Sequence, residues 1–220
     1  KKRTASVYLP AGYDPKAERR YPVLYIHDGK KALDEGSMKN ALDQLIGRSV
    51  QPLIAVFIIP GGENPDRELG DVEKQTAMVV TELVPKIDER YLTIPRADAR
   101  GAAGAAGGAE AALFGVLKHP DLFGRVGSQS ATMMQASDFD TLIRGAEEHP
   151  LAIYLEWGTY HLRSPHEAWD MARANRDLWA LLRASGQRPA GGEVPEGFGW
   201  NCWRSHIDDM LTALYPMQNM

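Results

Sequence analysis

RGAAGAAGGAEAAL, residues Arg100 to Leu113, is the stretch on which the reading of this chain turns. Its first six residues make a weak strand, since Ala and Gly lack the β-branched bulk that strands favour. A turn of small residues follows, and Gly108 to Lys118 reads as a helix. By itself, an Ala/Gly-rich strand-to-helix turn calls for nothing beyond tight packing. Its flanks give it more meaning.

Upstream, three segments read as strands. Thr4 to Leu9 is β-branched and aromatic. Pro22 to His27 is a short apolar run. Leu53 to Ile59 is apolar at every residue, as a strand covered on both faces must be. Helices are expected at Ser37 to Ile46 and at Val72 to Tyr91, where Val80, Val84, Ile87 and Tyr91 keep a helical spacing. Downstream, strands are expected at Arg125 to Ser130 and Leu151 to Trp157. Helices are expected at His166 to Ala184 and Trp200 to Leu214. Such alternation predicts an α/β fold, a mostly parallel central sheet with helices on both faces. The 220 residues suit one domain, 1–220.

Composition narrows the partners. The count of 25 Lys+Arg against 29 Asp+Glu gives a formal net charge of −4, too mild to point to nucleic acid or an anionic membrane. No apolar run approaches the roughly 20 residues of a membrane span. No stretch of this sequence reads as a signal peptide, and a start at Lys1 rather than Met reads as a processed or trimmed fragment, so the compartment is left open. The lone Cys202 excludes an internal disulfide and a Cys-based zinc cluster. His119, His149, His166 and His206 show no metal-ligand spacing, and no metal or cofactor is expected.

The turn after Arg100 has the frame of the Gly-x-Ser-x-Gly nucleophile elbow, in which a strained strand-to-helix turn lifts a Ser above the sheet. Gly104 and Gly108 hold the glycine positions, and Ala106 stands where Ser belongs. Other pieces occur in order: VYLPAGYDP with RRYPVLYIHDG, LIAVFIIP, TELVPKIDERYLT, LKHPDLFGRVGSQSA, IYLEWGT, and EVP with Trp200, Trp203 and Arg204. Together they resemble the esterase family of α/β-hydrolases that includes ferric enterobactin esterases and feruloyl or acetyl-xylan esterases. The likeness covers nearly the whole chain and implies the α/β-hydrolase fold.

By that resemblance the departures coincide with the catalytic triad. The nucleophile position is Ala106. The acid position, after Gly158, Thr159 and Tyr160, is His161. The histidine position, two residues before the first Trp of the pair, is Phe198. A methyl cannot attack a carbonyl and a phenyl ring cannot take a proton, so the Ser–His–acid route is closed. An oxyanion hole built from backbone N–H groups could persist, by resemblance at Gly29 or Lys30, after Asp28, and at Gly107. Arg67 lies in a loop that borders the pocket in siderophore or feruloyl relatives, and reads equally as a solvated charge.

Three ionisable groups remain as candidates for residual chemistry: His161, Glu110 and Cys202. Glu110 at the start of the elbow helix also fits a simple preference for negative charge there. Cys202 also fits a small buried filler. The clustering of changes at triad positions, with small residues at Ala102, Gly107 and Pro189 to Gly192, favours an engineered or repurposed esterase scaffold with a recut pocket. The alternatives are a natural pseudoenzyme that binds in the esterase pocket, and an active hydrolase whose nucleophile is Ser128 or Ser130. Trp157, Tyr160, Phe198 and Trp200 at the presumed rim suggest an aromatic small-molecule ligand.

Overall fold

Alternate residues of the apolar strands go to opposite faces, and each face meets its own layer of helices. Val23, Tyr25, Ile54, Val56 and Ile58 join one buried cluster. Leu24, Ile26, Ala55 and Phe57 join the other. This is the period-two pattern of a sheet covered on both sides. The structure is a computed structural model and describes residues 4–61, 71–133, 139–161 and 170–217.

The strands are β1 Thr4–Tyr8, β2 Val23–Ile26, β3 Ile54–Ile59, β4 Arg100–Ala105, β5 Arg125–Gln129, β6 Ala152–Gly158 and β7 Ala190–Val194. They form one seven-stranded sheet in the order β1-β3-β2-β4-β5-β6-β7. Only β1 is antiparallel, against β3, and the other neighbours run parallel. This is the expected α/β-hydrolase architecture.

Helices α1 Gly29–Asp34, α2 Met38–Leu45, α8 Trp200–Trp203 and α9 Ile207–Leu214 contribute to the second cluster. Helices α3 Val72–Met78, α4 Val84–Arg90, α5 Gly107–Lys118, α6 Phe139–Gly145 and α7 Met171–Ala184 contribute to the first. The expected single helix from Val72 to Tyr91 is interrupted by a π-helical turn, Val79–Leu83. Pro85 supplies the reason: it has no N–H to give the preceding turn, and in an uninterrupted α-helix its ring would crowd the carbonyl of Thr81. The expected helix from Trp200 to Leu214 is likewise broken by a 3₁₀ turn at Arg204–His206. The small-residue run Pro189 to Gly192 leads into β7, whose Gly191 and Gly192 take positive φ of 94° and 133°.

At the foot of β4, opposite its turn into α5, Arg100 is 2% exposed and its Nη2 donates to Asp88 Oδ2 at 2.6 Å. Asp88 Oδ1 accepts from Thr93 Oγ1 at 2.7 Å. This pair ties α4 to the central strand on the side away from the loops considered next.

Candidate active site

In parallel sheets the carboxyl ends of the strands open onto the loops that bind ligands. Here those ends bring His27–Gly29, Ala106–Gly107, Ser130–Met133, Gly158–His161 and Glu196–Phe198 to one edge. The turn from β4 into α5 is as sharp as the sequence frame demands. Ala106 has φ 51° and ψ −121°, a conformation that L-residues rarely adopt. Its N–H donates to Gln129 O at 3.0 Å, and its carbonyl accepts from Ala109 and Glu110 at 3.1 Å. The close crossing of strand and helix requires glycine at position 104 and leaves little room at position 108. A Cβ on Gly104 would lie 2.4 Å from the carbonyl carbon of Gly108, and one on Gly108 would lie 3.2 Å from His27 Cβ.

The first N–H groups of a helix have no acceptor within it. Gly29 and Lys30 open α1, and Gly107 opens α5, so each keeps such a donor at the end of β2 or β4. Asp28 takes the left-handed conformation, φ 50°, and its carboxylate lies 3.5 Å from Lys31 Nζ. The Lys30 side chain points to solvent and pairs with Asp34 at 2.5 Å.

His161 sits between two elements. Its Nε2 accepts the Gly158 N–H at 2.8 Å and lies 3.0 Å from Ser130 Oγ. Ser130 is fully buried, has φ 57°, and its Oγ also accepts from Trp203 Nε1 at 2.9 Å. An Nε2 that accepts from an amide is unprotonated, so the imidazole is neutral with its proton on Nδ1. Burial pushes its pKa below the ordinary value, against the pull of Glu193 and Asp170. The one Nε2 lone pair is already shared between Gly158 and Ser130.

The ring of Phe198 stands edge-on to His161, centroids 5.8 Å apart, and edge-on to Trp203 at 4.8 Å. Phe198 and Tyr160 are 37% and 72% exposed. Their loops are joined by the Tyr160 N–H, which donates to Glu196 O at 3.0 Å. Trp157 and Trp200 are placed differently. Trp157 is buried edge-on to Trp179 at 5.6 Å. Trp200 is buried against Trp203 and packs over Gly36, where a Cβ would meet its ring at 2.6 Å. Both rings belong to the core rather than to an open rim.

Glu110 is buried and accepts a hydrogen bond from Thr132 Oγ1. Cys202 is half-buried in α8 with a free thiol. The structure thus brings His161 and Phe198 together, ties Glu110 to the segment after β5, and leaves Arg67 outside the described residues. Sequence reasoning missed Ser130 as the partner of His161 and Trp203 as the donor that holds Ser130. The Trp200/Trp203 spacing and the SQS block were visible, but neither indicates which atom meets which. Among the described residues no group of three or more His, Cys, Asp or Glu side chains could hold a metal ion. None of the described helices is long and apolar enough to cross a membrane.

The model of the family described as putative esterase matches residues 1–214. The chain belongs to this esterase family. The endo-1,4-β-xylanase/feruloyl esterase of Xylanibacter ruminicola is 34% identical over 98% of this chain, which spans 30% of that protein. An uncharacterised Bacillus subtilis protein, YbbA, is 24% identical over 64% of the chain and 61% of its own length. Among solved structures, the enterobactin esterase of Shigella flexneri, determined in the presence of enterobactin, superposes with a TM-score of 0.78 at 25% identity, covering 96% of this chain and 54% of that one. A ferulic acid esterase from Anaeromyces mucronatus, in complex with ferulic acid, gives 0.69 at 17% identity, covering 96% and 84%. These likenesses place the esterase fold over nearly all of this chain.

Proposed function

We propose that this chain is an engineered or repurposed esterase scaffold that holds an aromatic small molecule at the carboxyl edge of its sheet and does not turn over esters by the serine route. The observation that carries this reading is Ala106: the elbow backbone keeps its strained geometry around a methyl group. The base position by resemblance, Phe198, is an aromatic ring packed on His161. Tyr160 and Phe198 offer exposed aromatic faces on adjoining loops, suited to a planar ring. Family members solved with ferulic acid or with 2,3-dihydroxy-N-benzoyl-serine support the choice of phenolic acids as ligand class. The test is calorimetric titration with ferulate and with 2,3-dihydroxybenzoyl-serine. Binding is expected, weakened at least about tenfold by Tyr160→Ala or Phe198→Ala. No binding at millimolar ligand, or binding indifferent to both substitutions, would refute it.

One observation favours a second reading, an active hydrolase that uses Ser130 as nucleophile. Ser130 Oγ is within hydrogen-bond reach of the His161 ring, the signature of a nucleophile and its base. Against it stand the full burial of Ser130 and the sharing of Nε2 with Gly158. A serine-directed phosphonate decides: a labelled peptide containing Ser130, with activity lost in step, would establish this reading over the first.

A further inference from the structure

We propose that His206 is a positioning residue, which as an imidazolium ties down the loop bearing Phe198 and releases it on losing its proton. This inference concerns the regulation of the candidate site and holds whether or not that site binds a phenolic acid.

His206 lies in the turn before α9, beside a cleft lined by residues of β6 and β7. Its Nε2 is 3.3 Å from Glu196 Oε1. Its Nδ1 is 3.7 Å from Asp209 Oδ2 and 3.9 Å from Glu156 Oε2. The three carboxylates come from three places: the β7–α8 loop, α9 and strand β6. Among the described residues no Lys or Arg pairs with any of them, so the imidazolium is the cation they share. Tyr154, also from β6, donates its hydroxyl to Glu156 Oε2 at 2.7 Å. Glu193 of β7 borders the same space but is held by Arg176 at 2.5 and 2.7 Å. The cleft is about 420 Å³ and is lined by Tyr154, Glu156, Gly191, Gly192, His206 and Asp209, so protons reach the ring from solvent.

Glu196 is two residues before Phe198. The backbone around it is anchored through its N–H to Val194 O and through its carbonyl to the Tyr160 N–H. Its carboxylate is the only side-chain tie that the described contacts give this loop to the turn before α9. Beyond it, Phe198 makes ring contacts with His161 and Trp203. Burial pulls His206 down, but Glu156, then Glu196 and Asp209, pull harder, and its pKa lies above the ordinary imidazole value. Burial in turn raises Glu156, against its hydrogen bond from Tyr154 and the His206 charge. The sign follows: a raised imidazole pKa gives a tie fully present below about pH 6.5 and lost as pH climbs through the folded value. Above it, a neutral ring is left among carboxylates that repel one another.

The test is ¹⁹F NMR of the full chain with 4-fluorophenylalanine at its five Phe positions, the Phe198 signal being assigned by its loss in Phe198→Leu. The wild-type Phe198 signal is expected to change with the same midpoint as the His206 ring protons, above about 6.5. In His206→Gln it should be flat across that window and resemble the high-pH wild-type signal. In Glu196→Gln the midpoint should fall. Signals of the buried Phe57 and Phe123 report whether each variant is folded. If a variant does not fold, coincidence of the two wild-type midpoints alone decides. A Phe198 signal that stays still while His206 titrates, or that keeps its pH dependence in His206→Gln, overturns the proposal.

Discussion

Gly158 donates its backbone N–H to His161 Nε2 at 2.8 Å, so His161 is tied back to the end of β6. A histidine tied in this way fixes the turn after β6 and has little basicity to lend to a neighbour.

The first expectation concerns esterase activity. Hydrolysis of p-nitrophenyl acetate and of feruloyl esters should not exceed background. Ala106→Ser alone should not restore it, because His161 is already engaged and general-base help is worth roughly 10²–10⁴-fold. Ala106→Ser with Phe198→His should recover part of the rate. Substantial turnover by the single variant would show that another base reaches position 106.

Ala106 also makes a stability prediction. Its φ of 51° with ψ −121° suits glycine better than an L-residue. Ala106→Gly should therefore stabilise the fold, by about 1 kcal/mol after the added chain entropy of glycine is discounted. Urea unfolding of the two proteins measures this directly. A loss of stability would mean the turn is relaxed and the methyl is a favourable contact.

The sequence showed a good part of this fold, and the reasons it stopped are particular. Ile54–Ile59 and Val23–Ile26 announce themselves by β-branched and aromatic residues. Strand β4 has no such residues and was visible only through the glycine turn behind it. Strand β7, AGGEV, has one β-branched residue in five and depends on its ladder with β6 rather than on propensity. The short α1 and α6 carry too few residues for a helical period to show. At the site, only the family resemblance singled out Ala106, His161 and Phe198. It could not give the His161–Ser130–Trp203 contacts, in which Ser130 bridges residues far apart in sequence. Nor could it separate Trp157 and Trp200, inside the core, from Tyr160 on the surface.

Arg100 and Asp88 should be costly to separate. The guanidinium is 2% exposed and the carboxylate partly so. Asp88→Ala leaves that charge buried without its counter-ion, and a loss of about 3 kcal/mol is expected. Chemical denaturation gives the value. A change below about 0.5 kcal/mol, the range of an ordinary surface substitution, would place the pair among exposed ones.

Acid should weaken the fold through His27. It is buried, and burial pushes its imidazole down to about 4. A depressed imidazole pKa means stability present above about pH 6.5 and lost as pH falls toward and through the folded value, on the order of 3 kcal/mol at full protonation. His161, lowered for the same reason, acts in the same direction. Unfolding free energies of wild type and His27→Gln from neutral pH down to about pH 4 should diverge, with the variant the flatter. Parallel slopes would show that His27 does not carry the effect.

Strand β7 is the last in the sheet, and its outer side faces no neighbour among the described strands. A flat terminal strand is a template on which another molecule's strand can add. With Gly191 at φ 94° and Gly192 at φ 133°, two successive residues leave the extended conformation and the row of outward amides is bent out of line. An incoming strand would find no continuous ladder to extend. The same pair of glycines that lines the cleft beside His206 therefore makes this end of the described sheet a poor template for a further strand.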